Sequence, residues 1–193
     1  MDGLWIGTYQ SEPDHALRRV EKALELIKAF DRLRYNRLLC DLERVWVRIH
    51  PVALGNFNES LNACELDARF VRAETTSTEA IAATIVHEAV HARLMRCGIT
   101  YGEELRTRVE AVCLRRELAF AAKLPNGEEV RESARRTLEF YADQSNWTST
   151  VMNERYVSGS TDALHYVGVP SWLARIVLCL LKLRLPWFAI FAA

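Results

Sequence analysis

Apolar residues recur three and four apart through Leu17, Val20, Leu24 and Ile27, the spacing of one buried helical face. Ahead of them, Ser11-Glu12-Pro13-Asp14 offers an N-cap serine, a first-turn proline and an acid at N3, so a first long helix is predicted from Ser11 to about Leu39. The period then changes to two. Val45, Val47 and Ile49 alternate with Arg44, Trp46 and Arg48, which predicts a strand with one face turned inward. Leu61 to Val71 alternates less cleanly, through Leu66, Ala68 and Phe70, and reads as a second strand; Pro51 to Ser60 between them reads as a turn-rich loop.

A second helix opens on the capping box Thr76-Ser77-Thr78-Glu79 and ends at Gly98, where the missing side chain permits a left-handed C-cap. After the loop 99–102, Glu103 and Glu104 start a third helix at the positive end of its dipole. It runs to about Ala122 and stops at Leu124-Pro125-Asn126-Gly127. A fourth helix is expected from Glu128 to Asn146, irregular chain from Trp147 to Gly168, and an apolar helix from Pro170. The fold class that follows is α+β and mostly helical: a domain over 1–168, with a small β-sheet before the second helix, and an apolar, cationic tail over 169–193.

Composition narrows the function. With 193 residues, half of them hydrophobic, the chain can bury a core without disulfides or structural metals. Its 25 basic and 25 acidic residues cancel, which removes the electrostatic argument for nucleic-acid binding. The start carries neither a basic n-region nor a long apolar stretch, so a cytoplasmic protein is expected. Cys40, Cys64, Cys97, Cys113 and Cys179 form no C-x-x-C pair; each reads as a small buried apolar residue, and together they make no zinc cage.

Chemistry concentrates in the second helix, at His87-Glu88-Ala89-Val90-His91, an H-E-x-x-H motif. Four-residue spacing puts both imidazoles on one face, where their nitrogens can converge on one tetrahedral ion, Zn2+ first among the candidates. Glu88 beside the first ligand can serve as base toward a water at that ion. Placed at random, five His and eighteen Glu would give this pattern in about one such chain in a hundred. Its uncharged neighbours Ile85, Val86, Ala89, Val90 and Ala92 suit a buried cleft.

A catalytic zinc site needs a third protein ligand, and no third histidine follows His91 within the helix. If the second and third helices fold back as an antiparallel pair, the residue level with the two histidines falls near position 110. Glu110 stands there. Glu117, about 10 Å further along the axis, is the second candidate.

These features resemble the gluzincin branch of the zincin metallopeptidases, in which an H-E-x-x-H helix is followed by a glutamate helix. Residues 117–125, from Glu117 to Pro125, are also similar to the small cytoplasmic zincin domains of the ImmA/IrrE type. The resemblance covers about positions 61–125. It implies a zincin-like fold with His87, His91 and Glu110 as zinc ligands and Glu88 as catalytic base. It also implies that Leu66 to Val71 is the edge on which an extended peptide pairs. Two positions depart from the pattern: Arg93 stands where zincins carry an apolar residue, and Leu114 where thermolysin-like enzymes carry an aspartate. The group that orients the ligand histidines is therefore unassigned.

The activity implied is hydrolysis of an amide in a peptide or protein substrate, by a zinc-activated water that loses its proton to Glu88. His165 or Tyr166 is the candidate for stabilising the oxyanion, with Tyr101 and Tyr156 behind them; His15 and His50 read as surface histidines. A zincin-fold regulatory or binding module without turnover is the alternative, and a helical interaction protein with an accidental motif is the third reading. The presence of Glu88 favours the enzyme, since a structural site needs ligands but no base. In the tail, Arg175, Lys182 and Arg184 interrupt apolar runs that fall well short of the roughly 20 residues of a membrane span. A packed helix, a homodimer contact and a membrane-surface contact all stay open for it.

Overall fold

The computed structural model describes residues 1–9, 13–99, 102, 104–143 and 149–184. Its elements are β1 (Trp5–Thr8), α1 (Pro13–Phe30), α2 (Arg32–Asp41), β2 (Arg44–Arg48), β3 (Gly55–Asn58), β4 (Ala63–Asp67), α3 (Ala68–Arg72), α4 (Thr78–Arg96), α5 (Arg106–Ala121), α6 (Glu128–Ala142), α7 (Ser149–Tyr166) and α8 (Ser171–Arg184). The chain is mostly helical with one mixed sheet of order β1-β2-β4-β3, an α+β arrangement. β1, β2 and β4 run parallel, and β3 pairs antiparallel with β4 at the edge.

One face of the sheet packs on α1 and α4. Val45, Val47, Cys64 and Leu66 meet Val20, Leu24 and Ile27 of α1 and Ile81, Ile85 and Val86 of α4, all fully buried. The opposite face carries Trp5, Tyr9 and Trp46 in ring contact, with Trp46 at 5.5 Å from Trp5 and 4.7 Å from Tyr9 between centroids. There the carboxylate of Glu65 is buried under Arg48 and Asn58, at 3.2 and 3.0 Å.

Several expected boundaries are corrected. The helix predicted from Ser11 to Leu39 is two helices; Ser11 itself lies outside the described residues. The apolar period runs on through the break, but Asp31 leaves the helical conformation and caps α2, accepting from the Arg34 backbone N–H. Of the expected strand Leu61 to Val71, Ala63–Asp67 is β4, and the chain from Ala68 on is helical. Asp67 ends β4 and N-caps α3, where its carboxylate takes the Arg69 N–H at 2.7 Å and the Arg69 guanidinium at 2.6 Å. The supposed loop Pro51 to Ser60 contains β3, β1 precedes the first helix, and the irregular stretch 147–168 is mostly α7. Ser77 rather than Thr76 is the cap of α4, accepting from the Ala80 N–H at 3.1 Å. Gly98 closes that helix at φ +78° as expected.

Ion pairs fasten the helices that matter below. Arg93 and Arg96 of α4 reach the buried carboxylate of Asp41 at 3.4 and 2.7 Å, so the charge at position 93 joins α4 to α2. Asp31 also accepts from Lys123, just past α5, at 2.8 Å. Burial opposes its charge, but Lys123 and Arg34 outweigh that and hold the carboxyl below its ordinary value. Asp31→Ala, which removes a cap and two charged hydrogen bonds, is expected to cost roughly 2–4 kcal/mol in urea unfolding at pH 7. The Asp31 contribution is present above about pH 4 and lost as pH falls through the lowered folded value, so wild type and variant should converge in acid. Equal midpoints at pH 7 would refute it.

α8 is a helix through Arg184, and residues 185–193 of the expected tail lie outside the described residues. Among the described residues no helix is long and apolar enough to cross a membrane. Cys64 and Cys113 are buried as expected, whereas Cys40, Cys97 and Cys179 are exposed; all five are free thiols.

Candidate metal centre

α4 and α5 pack side by side about the turn that Gly98 permits. The inner face of α4 is apolar at Ile81, Ile85, Ala89 and Ala92, and its lateral face presents His87 and His91 to α5. Their rings lie 5.1 Å apart between centroids. Facing them on α5, Glu110, Cys113 and Glu117 follow one another at spacings of three and four, which place all three on one helical stripe.

Glu110 spans both histidines. Its Oε2 lies 3.2 Å from His87 Nε2 and its Oε1 3.6 Å from His91 Nε2. Two donors about 2.0–2.1 Å from a shared tetrahedral ion stand roughly 3.3 Å apart, close to both separations, while the donors that lie within 4.8 Å of one another are His87, His91 and Cys113. Glu117 takes the other side of the first ring, with Oε2 at 3.1 Å from His87 Nδ1. A ligand imidazole is commonly held by a carboxylate on its second nitrogen. Glu117 therefore fits the orienting place that Leu114 leaves vacant in the sequence pattern.

The electrostatics differ sharply between the two rings. Burial works against charge on His87, but the hydrogen bonds to Glu110 and Glu117 outweigh it and push its pKa up to about 10. His91 is dominated by burial, which pulls it down to about 4 and keeps the ring neutral, the form in which imidazole ligates metals. Glu88 is buried and raised to about 7, first by desolvation and then by Glu110 and Glu117, with His87 acting in the opposite direction. A cluster of buried carboxylates beside a protonated imidazole is a site that favours a cation.

The edge strand β3 lies against Glu88. Asp67 donates its N–H to the Leu54 carbonyl, so in the alternation of an antiparallel ladder Gly55 and Phe57 turn their backbone groups away from β4. The Phe57 backbone N–H faces the Glu88 carboxylate and works against its raised pKa. Gly55 makes this approach possible: a Cβ there would stand 2.5 Å from Thr84 Cγ2 and 3.0 Å from Glu88 Oε1. The edge open to an extended partner is thus β3, and β4, expected in that role, is paired on both sides.

His165 and Tyr166 are on the exposed last turn of α7, and among the described residues no hydrogen bond or ion pair joins either to the centre. Tyr156 lies on the same helix, and Tyr101 is outside the described residues. His50 is no plain surface residue: its Nδ1 accepts from the Ala53 N–H at 3.2 Å, and burial lowers its pKa. The phenol that feels the site is Tyr141 of α6. Burial, then the charges of Glu110, Glu88 and Glu117, push it up to about 12. Its signal was in the periodicity, since Val130, Ala134 and Tyr141 share one face of α6 and the first two are buried.

Cys113, read in the sequence as a small core residue, also lies close to the two rings. Its sulfur and one nitrogen each of His87 and His91 lie within 4.8 Å of one another. The chain matches no protein-family model, no curated protein and no solved structure.

Proposed function

We propose that this chain is a zinc-dependent metallopeptidase of zincin-like fold, acting on peptide or protein substrates. The observation that carries the reading is the Glu110 carboxylate at 3.2 and 3.6 Å from the Nε2 atoms of His87 and His91, with buried Glu88 next in sequence. Imidazole, carboxylate and thiol donors suit zinc better than magnesium or calcium, which take oxygen. His87, His91 and Glu110 would hold the ion, and Glu117 would fix the ring of His87. Zinc bound there would supply Lewis acidity and a water ionisable near neutral pH.

The protein's own part is positional. Glu88, inside a low-dielectric cleft and close to neutral in pKa, accepts the proton of the attacking water and returns it to the leaving amine. The outward N–H and C=O groups of β3 hold an extended peptide beside Glu88 by strand addition.

The test is cleavage of a random peptide library by the zinc-loaded chain. Cleavage that stops on chelation and returns with one equivalent of zinc is expected; cleavage indifferent to chelator, or none by fully loaded protein, would overturn the proposal. One observation favours the second reading, a metal-holding regulatory or binding module: the thiol of Cys113 stands where a fourth protein ligand would close the site.

A further inference from the structure

Cys113 has no surface, no disulfide partner and no place in the mechanism above. It sits one turn after Glu110 on the stripe of α5 that faces the two histidines, and its sulfur shares their 4.8 Å sphere. In a tetrahedral site with zinc–sulfur near 2.3 Å and zinc–nitrogen near 2.0–2.1 Å, sulfur and nitrogen stand roughly 3.6 Å apart. The separations here, at most 4.8 Å, exceed that by no more than about 1.2 Å. Cys64, the other buried cysteine, belongs to β4 on the sheet side of α4 and is not in that sphere among the described residues.

We propose that Cys113 is the fourth protein donor to the ion held by His87, His91 and Glu110, so that the resting centre is closed by a thiolate. The proposal rests on the metal reading above and deepens it. Two consequences follow from the chemistry of the donor set. A thiolate biases the site toward thiophilic ions, cadmium and cobalt as well as zinc, over manganese and magnesium. Four protein donors also leave no tetrahedral position for water, the mark of a structural rather than an open catalytic site. An outside ligand, water included, enters as the sulfur is displaced, so the thiolate slows turnover by the loaded chain without abolishing it.

Cobalt(II) added to the metal-free protein separates the possibilities. Wild type is expected to develop the visible bands of tetrahedral cobalt together with an intense near-ultraviolet thiolate-to-cobalt band, and millimolar azide should leave both unchanged. Cys113→Ser should keep the visible bands, lose the near-ultraviolet band, lose at least tenfold of the preference for cadmium over manganese, and respond to azide. Visible bands in wild type without the thiolate band would overturn the role of Cys113 and leave the metal reading standing. Failure of wild type to take up cobalt or zinc would overturn the metal reading itself. If the serine variant does not fold, X-ray absorption at the zinc edge of the loaded wild type decides: a sulfur shell near 2.3 Å is expected, and nitrogen and oxygen alone would overturn the proposal. An azide-sensitive wild-type spectrum that keeps its thiolate band would overturn the closed site.

Discussion

His91→Ala is expected to lower zinc affinity by two to three orders of magnitude and to leave the dialysed protein with no stoichiometric metal. Zinc held by a set of protein donors is bound with roughly 10–16 kcal/mol, so one donor of four is worth about 3–4 kcal/mol. His91 is the cleaner of the two histidines to remove. It is neutral because of burial and meets Glu110 only at 3.6 Å, whereas His87 contacts both Glu110 and Glu117 at 3.2 and 3.1 Å, so its loss disturbs two buried carboxylates. Alanine at 91 still suits a helix interior, and the far-ultraviolet dichroism of the variant should match wild type. Metal analysis after dialysis, with competition by a chromophoric chelator, gives the affinity; equal zinc in both proteins would remove His91 from the site.

The second large effect is expected at Glu88. Glu88→Gln keeps the shape and an oxygen for the Phe57 N–H but loses the proton acceptor, so peptide cleavage should fall by about 10² to 10⁴. Metal affinity should move by less than tenfold, because Glu88 is not one of the proposed donors. That contrast separates a base from a ligand. Equal cleavage by wild type and variant would eliminate the base, and joint loss of metal and activity would move Glu88 into the coordination set.

Much of the centre was legible because helices obey simple arithmetic. Four-residue spacing put His87 and His91 on one face, Gly98 marked where the chain turns back, and counting an equal number of residues along the returning helix reached Glu110. Glu117 ranks second as a ligand because it lies about 10 Å further along the axis. It meets the ring at the opposite nitrogen, and an imidazole held between two carboxylates bridges the distance that axial counting treats as a gap. Cys113 was hidden by its composition class: a lone cysteine at the centre of a helix looks like any small core residue.

The strands were harder. β3 contains Gly55, Asn56 and Asn58, residues with poor strand propensity, and it is held by its register with β4 and by contact with α4. Such an edge is created by tertiary pairing and leaves little periodic trace. The break at Asp31 was invisible for the opposite reason, since the apolar period of α1 runs on into α2 and a single side-chain cap divides them. α7 has a weak amphipathic pattern, and its Gly159 is set against the Pro51 carbonyl, where a Cβ would stand at 1.7 Å. Nothing local announces that contact.

Gly55 also bears on how this chain tolerates change. It offers no functional group, and neither a chemical label nor an inhibitor would single it out. Yet the smallest addition, one methyl, meets Thr84 and Glu88 at once. In a saturation library scored for activity, position 55 should be as intolerant as the histidines, with alanine already depleted. Scored for folding alone, it should stand apart from His91, because crowding β3 off α4 harms the fold whereas losing that imidazole harms chiefly the chemistry. The same substitutions read by two screens would thus map which silent positions guard the cleft.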